Sequence, residues 1–100
     1  MPQLTLRHLL QLCNDLQVFW EMGTYQRLGL SDEKFWNPFQ EKTREMFLEV
    51  CKFRQISGQE FAKNMEPLDE PLPQEIQKKF LELKEWLNEL HPTFKSLFMM

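Results

Sequence analysis

An all-α fold, a compact small bundle of three main helices with one or two short ones, follows from three features of this 100-residue chain. Apolar residues recur at helical spacing along three long stretches. Capping and stop residues bracket those stretches. Each stretch carries an apolar face that needs a facing helix, and packed helices without a sheet satisfy that need.

The first helix is predicted to start after Thr5 and to run to about Glu21. Thr5 can accept a bond from an unpaired amide of the first turn, and Met22-Gly23-Thr24 ends the pattern. Leu6, Leu9, Leu10, Cys13 and Trp20 fall on one broad face, which Leu12, Leu16 and Phe19 extend sideways. A helix this broadly apolar is either the central helix of the bundle or part of a self-association surface.

Residues 23–37 connect it to the second long helix. Gly23 and Gly29 punctuate the segment, and Ser31 can cap one short turn. Its aromatic residues Tyr25, Phe35 and Trp36 form a lid over the core or face a partner. Asn37-Pro38-Phe39-Gln40 then reads as a helix start, with Asn37 as N-cap, Pro38 at the first helical position and Gln40 completing a capping-box spacing. Phe39, Met46, Phe47, Val50, Cys51 and the stem of Arg54 make the apolar stripe, while Glu41, Thr43, Glu45, Glu49 and Lys52 are assigned to the opposite face. Lys42 sits at the stripe's edge, its stem against apolar surface. The helix is expected to end near Gln55.

Ser57-Gly58-Gln59-Glu60 repeats the Ser-x-x-Glu start signal and predicts a short helix through about Asn64 that presents Phe61. Pro67, Pro71 and Pro73 remove three amide donors and disfavour helix before each ring, so residues 66–73 form an extended connection that is ordered if Leu68 and Leu72 pack. The last long helix runs from about Pro73 to Leu90, with Ile76, Phe80, Leu83, Leu87 and Leu90 as its seam and Trp86 alongside. His91-Pro92 stops it, and residues 93–100 form a short apolar tail. The whole reads as a single helical domain.

Function is constrained mainly by exclusion. Twelve basic and 15 acidic residues give a net charge of −3, spread over both halves, which disfavours a nucleic-acid binder that relies on neutralising phosphates. No stretch approaches 18 apolar residues, the N-terminal residues lack a signal-peptide pattern, and a membrane role is likewise disfavoured. Cys13 and Cys51 lie at apolar helical positions and read as reduced core thiols, so the expected compartment is the cytoplasm. His8, His91 and the two cysteines belong to no metal-binding motif, and neither cysteine has a histidine nearby in sequence to activate it. Glu41, Glu45 and Glu49 form a four-spaced row without the Glu-x-x-His element of a carboxylate-bridged site, and are read as a solvated face. No phosphate loop or nucleophile elbow is present. No enzyme, metal or cofactor is expected.

What remains is a noncatalytic protein-binding module, an adaptor or an inhibitor acting by occlusion of a protein partner. Phe35, Trp36 and Phe39 cluster at a rigid helix entrance and are the first candidate anchors, although the same rings could staple that entrance into the core. Phe98 and Met99 of the tail are the second. One alternative is a homo-oligomeric structural protein, a homodimer for instance, that associates through Leu12, Leu16 and Phe19. Another is a helical nucleic-acid-associated regulator using Lys52, Arg54 and Lys63.

Overall fold

A computed structural model describes residues 3–97. Helix α1 spans Leu6–Glu21, α2 Thr24–Arg27, α3 Asn37–Arg54, α4 Gly58–Lys63, α5 Gln74–Leu90 and α6 Thr93–Leu97. A single π-helical turn, Asp32–Trp36, leads into α3. The three long helices are those the periodicity predicts. The short elements are more numerous than predicted, and no strand occurs among the described residues beyond one isolated bridge between Thr5 and Pro71.

Helix α1 packs into the bundle along one face. Leu6, Leu9, Leu12 and Leu16 are buried along it. Phe19 meets Phe35 and Phe94 at centroid distances of 5.9 and 5.4 Å, so α6 and the entrance to α3 cover the side of α1 that the self-association alternative requires to be open. That expectation is corrected: Leu12 and Leu16 are 7 and 0 % exposed, and the broad apolar surface finds its second neighbour within the same chain. At the N-terminus of α1 the Thr5 amide donates to Nδ1 of His8 at 3.0 Å, a capping box in which histidine takes the place of glutamate.

Gly23 closes α1 with a φ of 72°, a left-handed conformation that side chains rarely adopt. The entrance to α3 differs from the sequence expectation. The cap is Ser31, whose Oγ accepts from the Lys34 amide at 3.2 Å, and Asn37 is already helical at φ −65° and ψ −48°. Its amide donates to the Asp32 carbonyl in a π-type bond. Proline within a helix clashes with the carbonyl four residues back, and an inserted π residue is one way for a helix to pass such a position. The chain therefore enters Pro38 already wound, and the turn aims Phe35 and Trp36 inward.

Helix α3 buries Phe39, Met46, Val50 and Cys51 as predicted, together with Thr43, which the sequence reading places on the polar face. Thr43 lies on the same side as Phe39 and Met46. Its hydroxyl donates to the Phe39 and Gln40 carbonyls, both at 3.0 Å, and this local pairing lets a polar side chain enter the core. Lys42 lies over the Trp86 ring at 5.1 Å, joining the first half of α3 to the second half of α5. Ser57 caps α4 by accepting from the Glu60 amide at 3.1 Å.

The proline connection is ordered. The Leu72 amide donates to the Leu4 carbonyl at 2.8 Å and the Arg7 amide to the Leu68 carbonyl at 3.0 Å. The Arg7 guanidinium grips both carboxylate oxygens of Asp69 at 2.7 and 3.1 Å. Leu72 is buried and Leu68 half-buried, which meets the condition for an ordered crossing. Helix α5 then buries Ile76, Phe80, Leu83 and Leu87. His91 ends it, and its Nδ1 accepts from the Thr93 amide at 3.1 Å to start α6. No helix of the described residues is long and apolar enough to cross a membrane.

Candidate functional site

The aromatic entrance is core. Phe35, Trp36 and Phe39 are 0, 8 and 2 % exposed. Phe35 sits within 6.3 Å, centroid to centroid, of Phe19, Tyr25, Trp36, Phe39 and Phe94. Trp36 stacks on Trp20 at 4.7 Å with the planes 8° apart. These rings act as the staple, and as accessible anchors they are withdrawn: their apolar area is already matched inside the chain. The other two candidates, Phe98 and Met99, lie outside the described residues.

The basic neighbourhood of Lys52, Arg54 and Lys63 is also altered by folding. The Arg54 guanidinium donates to the carbonyls of Met65 at 2.7 Å, Glu66 at 3.3 Å and Pro67, and rests 5.8 Å from the Phe61 ring. It is occupied within the chain. His8 and His91 serve as caps. Among the described residues no group of three or more His, Cys, Asp or Glu side chains converges on a metal-sized space.

Two carboxylates are held below the ordinary range. The neighbouring Tyr25 hydroxyl and then Nε1 of Trp20, which donates to Asp32 at 3.0 Å, favour the charged form of Asp32. Asp69 is lowered by the hydrogen bond from Arg7. Both tie elements together. Burial pushes the Cys13 thiol up to about 11, against the smaller opposing effect of the Thr43 hydroxyl. A thiol so disposed is a poor nucleophile at neutral pH. Cys13 and Cys51 are both free, in keeping with the reading of reduced thiols.

The surface feature that stands out is a groove along the outer side of α3. One depression of about 720 Å³ lies between α3 and α4, with Phe47, Cys51 and Phe61 among its lining residues and Gln40 and Arg44 among its polar ones. A second of about 550 Å³ continues it past Glu45, Glu49 and Lys52. The two share Leu48, Cys51 and Gly58. Leu48 is 55 % exposed where they join.

Helix spacing places these residues. Gln40, Arg44, Phe47 and Cys51 advance by three or four and line one edge of α3, next to the buried stripe. The short α4 covers only the C-terminal part of that edge, through the Phe47–Phe61 contact at 5.9 Å. Sequence reasoning assigns Phe47 and Cys51 to the core and passes over Leu48. The available signal is a leucine flanked by Glu45 and Glu49 on an otherwise polar face. The groove itself depends on where α4 packs, which no local pattern specifies. Comparison with known protein families, with characterised proteins and with solved structures finds no match for this chain.

Proposed function

We propose that this chain is a noncatalytic protein-binding module, an adaptor or an inhibitor acting by occlusion, and that it docks a protein partner through the α3–α4 groove. The observation that carries this reading is Leu48, 55 % exposed at the junction of the two depressions and beside Phe47, Cys51 and Phe61. Exposed apolar area is recovered when a partner covers it, at roughly 25 cal/mol per Å². A helix laid along the groove would present apolar residues at intervals of three and four. Glu41, Arg44, Glu45, Glu49 and Lys52 carry both signs along the lining, a pattern that sets register more than overall attraction. The cytoplasm is the compartment proposed for it, in keeping with two free thiols.

The test replaces Leu48 with Glu. An exposed position tolerates this with a stability change of about 0.5 kcal/mol or less. Nuclease-treated host extract is passed over wild-type and variant protein, and any stoichiometric partner is purified and titrated against both. The expected result is a loss of affinity of about tenfold or more for Leu48→Glu. A purified partner that binds both proteins equally would remove the groove from the reading.

A further inference from the structure

We propose that α4 and the residues after it, 57–67 in all, form a flap that opens as a unit while the rest of the bundle stays folded, and that Arg54 is its latch. Helix α4 has six residues, and Phe61 is the only one of them buried. A helix so short does not hold itself together in water. Its folding depends on what it touches. Those contacts centre on Phe61, which is 5 % exposed in the core beside Phe47, with the half-buried Met65 and the Arg54 guanidinium around it.

Arg54 makes the largest polar contribution. It projects from the last turn of α3 and collects the carbonyls of Met65, Glu66 and Pro67 in succession, while its face lies over Phe61. Bonds from a charged donor are stronger than neutral ones, and one planar fork that holds several carbonyls loses them together. The flap has natural limits at both ends. On one side Gln55 adopts a left-handed conformation at φ 58°, which breaks the axis of α3 sharply from that of α4. On the other, the Arg7 amide on Leu68 and its side chain on Asp69 fasten the chain to α1 independently of Arg54.

Opening the flap would uncover Phe47 and Cys51 and lengthen the groove by the stretch Phe61 now occupies. Closure thus supplies one wall of that groove, and opening exchanges the wall for a longer open face of α3. Its bearing on a partner rests on the groove being a docking surface, whereas the flap itself does not.

Amide hydrogen exchange on the intact chain tests the inference. The Phe61 and Asn64 amides, bonded to the Ser57 and Glu60 carbonyls at 3.0 Å each, report on the flap. Mid-helix amides of α1 and α5 report on the bundle. In the wild type the flap amides should exchange through an opening about 100-fold or more frequent than that of the bundle amides. Arg54→Ala should accelerate the flap amides about tenfold or more, and Arg54→Lys by less. Leu83→Val, in the core of α5 and outside the flap, should accelerate the bundle amides and leave the flap amides unchanged.

Flap amides as protected as those of the bundle would overturn the inference. So would an Arg54→Ala variant that exchanges there as the wild type does, or a Leu83→Val variant that accelerates flap and bundle alike. None of these outcomes bears on Leu48, so a failed flap and a failed groove are distinguishable.

Discussion

Thr43 and Cys13 meet inside the bundle. Burial raises the Cys13 thiol to about 11 from 9.0, outweighing the opposing effect of the neighbouring Thr43. At pH 8 the native thiolate population of Cys13 is then about 100-fold below that of the unfolded chain. Alkylation coupled to peptide mass spectrometry should show Cys13 labelling at least about tenfold more slowly in the native protein than in denaturant. Equal rates in the native and unfolded protein would contradict the placement of Cys13.

At the scale of elements, the entrance to α3 separates two candidate caps. Ser31 holds the first turn of a run that continues through the π turn into α3, whereas Asn37 lies inside it. Ser31→Ala should therefore cost about 1 kcal/mol in urea unfolding, and Asn37→Ala should change stability by a few tenths at most. The reverse order would restore the sequence reading. The misassignment has a physical origin. Asn-Pro-x-Gln is a good local start signal, but Phe35 and Trp36 gain more by winding into the core ahead of Pro38 than an isolated start at Asn37 provides.

The long helices are legible in the sequence because their periodicity reflects burial directly, as in the Ile76–Phe80–Leu83–Leu87 seam. Thr43 is not, since its polarity masks a position flanked by Phe39 and Met46. The groove is partly legible: Leu48 among glutamates is visible, but the depression beside it is made by α4, whose position depends on Phe61 and Arg54.

At the scale of the whole molecule, two carboxylates among the described residues tie α1 to segments distant in sequence. Arg7 with Asp69 links α1 to the proline connection, and Trp20 with Asp32 links α1 to the entrance of α3. Both carboxylates are lowered on folding. A depressed carboxylate adds stability that is fully present above its unfolded value, near pH 4, and is lost as pH falls through the folded value. Thermal unfolding should accordingly show a falling Tm below about pH 4, and the Asp32→Asn, Asp69→Asn double variant should show a shallower fall. Added salt should lower the wild-type Tm slightly at pH 7 and affect the double variant less, because the Arg7–Asp69 pair is exposed. A variant with the wild-type acid profile would mean that neither tie contributes.

The parallel stack of Trp20 on Trp36 has an optical consequence. Two indoles 4.7 Å apart with nearly parallel planes share their electronic excitation, so the folded chain carries a coupled pair of transitions that separate indoles lack. One ring rides on α1 and the other on the turn into α3, so the coupling disappears as soon as those two segments part. Circular dichroism in the aromatic and far-ultraviolet bands can therefore track the integrity of the bundle without a label. Helix α4 lies outside the stack, so that signal would stay constant through an opening confined to the flap.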